Sequence, residues 1–230
     1  MNILAIETSC ETGSIALLSG GHVVDSELDG VGTHSEGVLP AIDWLLGEAG
    51  LGVSQLDAIA FGSGPGAFTG LRLACGVAQG LALGSGVGLV AVCSLEALAA
   101  QRSEARLLVA TDARLGEIYY CAYERDAQDI LRAIGEPACG RPDAVSLPGG
   151  TWFGVGSAFG VHGAVLHSRL GDRLMGSAAD AVPRAAQVAR LAARRVASGE
   201  LIPPQLAAPL YVRDKVALTT SERLATGGRA

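Results

Sequence analysis

Three short stretches hold the residues whose types and spacing could do chemistry. In the first, Ala5 to Leu18 (AIETSCETGSIALL), an apolar run ends at Glu7, Thr8 and Ser9 before a second apolar run begins. An acid and two hydroxyls at the end of a strand are what a hairpin needs to hold a metal-bound phosphate. A second stretch, LLVATDARLGEIYYCAY from Leu107, follows the same plan, with Asp112 in the place of Glu7 and Gly116 in the place of Gly13. The third, FGSGPGAFTGLR from Phe61 to Arg72, carries Gly64, Gly66 and Thr69 between a strand and a helix. Free N–H groups and the helix dipole favour an anion at such a junction. The Gly-Lys-Ser/Thr ending of a phosphate loop is missing, and Gly70 stands one residue too late for a dinucleotide fingerprint. An anion loop and a tight strand-to-helix turn both remain open readings of it.

The elements that must position these residues alternate along the chain. Ser35 to Ala49 is expected to be a helix, with Val38, Ile42, Leu45 and Ala49 on one face and Gly50 and Gly52 ending it. LDAIAFGSG is a short buried strand, Thr69 to Leu83 a second helix, Leu89 to Val92 a strand and Trp152 to Val155 another. Pro183 to Ala197 is expected to be a helix with Pro183 near its first position and Gly199 at its end. Two hairpins, each followed by α/β crossovers, predict an α/β protein of two similar lobes with mixed sheets. The lobes are placed at residues 1–101 and 102–213, the last segment of the second being able to pack back on the first, and 214–230 as a loose tail.

The second helix carries two rows of small residues, Gly76, Gly80 and Gly84 beside Ala74, Ala78 and Ala82. A glycine inside a helix costs about 1 kcal/mol against alanine, so an exposed helix gains nothing from one. Such a ridge admits a close neighbour, inside the lobe or from a partner chain.

Composition narrows the function further. A net charge of −6 argues against a stand-alone nucleic-acid binder. Arg184, Arg190, Arg194 and Arg195 read as a solvated helix face. Five scattered cysteines without a C-x-x-C pair fit reduced thiols, and Glu7 interrupts the first apolar run, so a cytoplasmic protein without a signal peptide is expected. Leu73 to Leu95 holds no charge, but Gly84-Ser85-Gly86 breaks it, which predicts a buried helix and strand rather than a membrane span. The four histidines (His22, His34, His162, His167) form no ligand cluster by spacing.

Taken in order, ILAIETSCETGSIALL, HSEGVLPAIDWLL, AFGSGPGAFTGLRLACGVAQGLALG, DARLGEIYYCAYERD and PLYVRDKVA resemble the TsaB (YeaZ) family along nearly the whole chain. The resemblance implies two duplicated lobes of the actin-like, sugar-kinase and Hsp70-like fold. It further implies an accessory subunit for N6-threonylcarbamoyladenosine at A37 of tRNAs reading ANN codons. The catalytic relative, TsaD, inserts an aspartate after the cysteine of the opening motif, whereas Glu11 directly follows Cys10 here. TsaD also carries a His-x-x-x-His pair where this chain has Ser94 and Leu98, which cannot replace two imidazoles.

The expectation is therefore a non-catalytic subunit with no metal and no cofactor of its own, ATP and metal belonging to the TsaD-like partner. Glu7, Thr8, Ser9, Gly64, Gly66, Thr69 and Asp112 become a vestigial phosphate cradle. By the same resemblance the two first-lobe helices form the partner surface, assigned to Val38, Leu39, Ile42, Leu46, Leu71, Ala74, Val77, Ala78 and Leu81. Ala78→Arg is expected to block pairing without unfolding the monomer. A TsaE-like ATPase in a larger complex, a homodimer of the isolated chain, and tRNA reached only through the complex complete the expected partners, with no membrane. The competing readings are a small phosphotransferase using Glu7, Thr8, Asp112 and the glycine loop, with Arg72 or Arg114 on the phosphate, and a metallopeptidase.

Overall fold

The computed structural model describes residues 1–28 and 34–213. The first lobe runs β1 (Asn2–Glu7), β2 (Gly13–Ser19), β3 (His22–Leu28), α1 (His34–Glu48), β4 (Ala58–Gly64), α2 (Phe68–Ser85) and β5 (Leu89–Cys93). A short α3 (Ser94–Ala99) leads into the second: β6 (Arg106–Asp112), β7 (Ile118–Arg125), β8 (Leu131–Gly140), β9 (Trp152–Val155), α4 (Ala158–Val161), α5 (Gly163–Leu170) and β10 (Leu174–Ala178). The last long helix is α6 (Ala185–Ala197).

The two sheets are ordered β3-β2-β1-β4-β5 and β10-β9-β6-β7-β8. In each, the first strand pairs antiparallel with the second and parallel with the fourth. The second sheet thus repeats the first strand for strand, which is the duplicated two-lobe α/β fold expected. β3 and β8 complete hairpins in which only two strands were expected. Both are sheet edges with much of their surface in water, so neither shows the apolar run of an interior strand.

β1 is covered on both sides, which is why it reads as a continuous apolar run rather than an alternation. Leu4 and Ile6 meet Val38, Ile42 and Leu45 of α1 and Ala74, Cys75 and Ala78 of α2. Ile3 and Ala5 face the other way, onto Ala185, Val188, Ala189 and Ala192 of α6. Small residues on both α6 and the sheet (Ala5, Ala16, Ala58, Ala60) let that helix lie close. The helix begins at Ala185 with Arg184 as its N-cap, so Pro183 precedes the helix instead of opening it. Ala185 N donates to Ser14 Oγ at 2.9 Å, fastening the helix start to β2.

A third core lies where the chain passes between lobes: Leu95, Leu98 and Ala99 of α3 pack with Leu107, Val109, Cys121, Tyr123 and Val155. Among the described residues no helix is long and apolar enough to cross a membrane. The charge-free stretch splits at Gly86, whose left-handed φ of 74° caps α2 through its N–H to Ala82 O at 2.9 Å. The tail expected at 214–230 lies outside the described residues.

Leu98 is wholly buried between the lobes. Leu98→Ala should cost about 2–5 kcal/mol in urea unfolding, the range for an interior leucine that leaves a cavity. A loss below about 1 kcal/mol would show that the lobes do not depend on this shared core.

Candidate functional site

Glu7 ends β1 with its side chain fully enclosed. Ser9 N donates to its Oε1 at 2.7 Å and Ser94 Oγ donates to its Oε2 at 2.8 Å. Ser94 Oγ in turn accepts from Gly64 N at 3.2 Å. Burial raises the Glu7 pKa above the usual 4.5, and the hydrogen bonds from Ser9, Ser94 and Thr8 oppose that rise without cancelling it. Gly62 is the reason the carboxyl fits, since a Cβ there would stand 2.0 Å from Oε2.

The glycine loop lies directly on the hairpin turn. A Cβ at Gly70 would stand 1.8 Å from Thr8 O, and one at Gly66 would stand 2.4 Å from Ser9 O. Thr8 Oγ1 donates to Gly70 O at 2.8 Å, and Ala67 N donates to Ser9 O at 2.7 Å. Glu7, Thr8, Ser9, Gly64 and Gly66 are thus brought together, but by mutual contact. The backbones of turn and loop meet directly, and no phosphate is needed to join them. Thr69 points away into solvent on the first turn of α2. Asp112 belongs to a separate cluster in the second lobe, where it accepts from Arg114 N at 3.1 Å and lies 3.2 Å from His162 Nε2. Arg114 also pairs with Glu11, the one direct link between the two turns in this group, and it sits in water.

A resident metal does not fit these residues either. Ser94 is committed to Glu7 and Gly64, and Leu98 is buried in the core between the lobes. Among the described residues no three His, Cys, Asp or Glu side chains gather as ligands. His34 lies 3.0 Å from the Cys10 carbonyl, and His167 Nδ1 lies 2.9 Å from Gly163 O. Ser94, Gly62 and Gly70 are the site residues that sequence reasoning missed. The available signal was a glycine inside an otherwise apolar strand, which marks a close approach.

The partner face needs correction. Val38, Ile42, Leu46, Leu71, Ala74 and Ala78 are buried in the first lobe's own core, where no partner can touch them. Val77 and Leu81 are half-buried against that core, and Leu39 alone of the assigned residues is open, at 56%. The apolar stripe of each helix points inward because the sheet needs it, as amphipathic helices do. Ala78→Arg would therefore break the monomer. The outward surface instead includes Leu39 and Trp44 among the polar residues of α1, such as Glu36, Asp43 and Glu48, and Gly76, Gly80, Leu83 and Gly84 on α2.

The Escherichia coli tRNA threonylcarbamoyladenosine biosynthesis protein TsaB is 33% identical, covering 94% of this chain and 96% of its own length. The chain belongs to the TsaB (YeaZ) family. The Haemophilus influenzae protein of the same name is 31% identical over 94% of this chain and 95% of itself. The solved structure of YeaZ from Pseudomonas aeruginosa superposes with a TM-score of 0.83 at 36% identity, covering 91% of this chain and 99% of that one. A family model described as TsaD, tRNA N6-adenosine threonylcarbamoyltransferase, matches residues 31–219. The family is thus one of tRNA threonylcarbamoyladenosine biosynthesis, related in its domain to the transferase.

The enclosed Glu7 makes a pH prediction. A carboxyl whose folded pKa is raised contributes stability that is complete below about 4.5 and lost as pH climbs through the folded value. Glu7→Gln removes that titration, and its amide can donate to Ser94 Oγ. The stability of the variant relative to the parent should rise steadily from pH 4.5 upward in thermal melts. A difference that stays flat to pH 8 would show that Glu7 does not titrate as its burial demands.

Proposed function

We propose that this chain is a non-catalytic subunit that binds and activates a TsaD-type threonylcarbamoyltransferase, forming N6-threonylcarbamoyladenosine at A37 of tRNAs that read ANN codons. The observation that carries the reading is the outer row of α2. Gly76, Gly80 and Gly84 are exposed, and a Cβ at any of them would meet nothing within 4 Å. The chain's own packing gives no reason for glycine there, although each costs a helix interior about 1 kcal/mol. A helix from another chain, laid on a bare glycine row, can approach more closely than the 8–10 Å usual between helices. Leu83 on the same helix, and Leu39 and Trp44 on α1, are all more than half exposed and add apolar area to the first lobe's surface.

The same face serves a second copy of the chain when the transferase is absent. A TsaE-like ATPase joins the larger complex, and tRNA is reached through the assembly. Nucleotide and metal belong to the transferase subunit, in keeping with the direct contact of turn and glycine loop and with Ser94 and Leu98 in place of imidazoles. Arg184 and Arg195 are already paired with Glu27 and Glu96 within the chain, which fits tRNA being reached through the assembly and not by this helix alone. Arg190 and Arg194 remain on the outside of α6.

The test pairs stability with binding. Gly76→Ala combined with Gly80→Ala should stabilise the isolated chain by up to about 2 kcal/mol, from two glycine replacements in a helix. The same variant should bind the transferase more weakly, and Gly80→Arg should abolish co-purification while the monomer stays folded by circular dichroism. Undiminished binding by both variants would remove this face from the interface. Separately, titration calorimetry of the isolated chain with Mg-ATP should give no tight binding, whereas a strong isotherm would restore the phosphotransferase reading.

A further inference from the structure

We propose that residues 201–213 form a clasp that holds the two lobes at one fixed angle, with Arg213 as its latch. Beyond α6 the chain turns at Gly199 and pairs with the edge of the first sheet. Leu89 N donates to Ile202 O at 3.0 Å and Ile202 N donates to Leu89 O at 2.9 Å. The segment then runs along α2 toward that helix's N-terminus. Gln79 Nε2 donates to Pro204 O at 2.9 Å and to Ala207 O at 3.1 Å. Leu210 N donates to Ser63 O at 2.7 Å, which pins the segment to the glycine loop. Tyr211 packs on Phe68 with ring centres 5.6 Å apart and accepts from Arg72 Nε at 3.0 Å. All these anchors belong to the first lobe.

The next anchor belongs to the second. Arg213 Nη2 donates to Ala113 O at 2.9 Å and to Glu117 Oε2 at 2.7 Å, and its guanidinium lies 5.7 Å from the centre of the Tyr119 ring. These groups surround the turn between β6 and β7. The Arg213 side chain is only 14% exposed, so its charge-assisted bonds are largely sheltered from water. The Glu11–Arg114 pair joins the two turns too, but its side chains are 82% and 72% exposed, where an ion pair contributes little.

Chain length turns these contacts into a restraint. Leu210 and Arg213 are three residue steps apart, and an extended chain covers at most about 3.6 Å per step, about 11 Å in all. Opening the lobes moves Ser63 away from Ala113. That short link cannot follow far without releasing either the Leu210 amide or the Arg213 side chain. The α3 core already ties the lobes where the chain crosses between them. The chain also crosses back from β10 to α6 on the first sheet, and with the clasp as a further tie the lobes lose the hinge motion that the two crossings would leave.

Hydrogen exchange on the full chain tests this without any partner, so its outcome is independent of the proposed function. In Arg213→Ala the amides of Leu210, Ala113 and Glu117 should exchange about tenfold faster, while β1 and β6 keep their protection, the pattern of a local opening. The radius of gyration from small-angle scattering should rise with it. Unchanged exchange at Leu210, or acceleration spread evenly over both sheets, would overturn the proposal. If the alanine variant does not fold, Arg213→Lys decides, since it keeps the charge and loses the fork: local acceleration supports the clasp and its absence refutes it.

Discussion

A carboxyl group sealed from water organises the first lobe. Glu7 takes its hydrogen bonds from the turn that follows it and from Ser94 at the start of α3, and it leans on the bare Cα of Gly62 in the neighbouring strand. Through Ser94 it reaches the glycine loop at Gly64. Enclosing such a group is costly unless its oxygens are satisfied, so the turn, the loop and the α3 start cannot shift independently. The same atoms that would have faced a phosphate in a working cradle here hold parts of one chain against each other. The turn, the glycine loop and the α3 start are thereby locked into one rigid support.

That support carries α2 with two unlike sides. Ala74, Ala78 and Ala82 press on the sheet, where small side chains let the helix lie close over Ile6 and Phe61. Gly76, Gly80 and Gly84 look outward, and a Cβ at any of them would meet no atom from elsewhere in the chain within 4 Å. Both rows are small, but only the inner one is explained by the monomer. The outer row is the face that the proposed function gives to a helix of another chain.

Much of this organisation was legible in the sequence. The two hairpins, α1, α2, β5 and β9 follow from apolar runs bounded by glycines and acids, because those signals are local. The edge strands β3 and β8 escaped, since half-solvated strands carry no strong pattern. The resemblance to the TsaB family, and the missing aspartate after Cys10, were likewise plain in the order of residues.

Direction was not legible. Periodicity shows that Val38, Ile42 and Ala78 share faces with other apolar residues, but burial against the sheet or against a partner produces the same periodicity. The tertiary structure gave those faces to the core and left the glycines outside. It also seated α6 on the first sheet, although the helix follows the second in the chain. Sequence alone thus determined which elements form and to which family they belong, since both rest on local residue order. Only the folded chain decided which side of each helix meets water and which lobe each segment joins, because those depend on contacts between residues far apart in sequence.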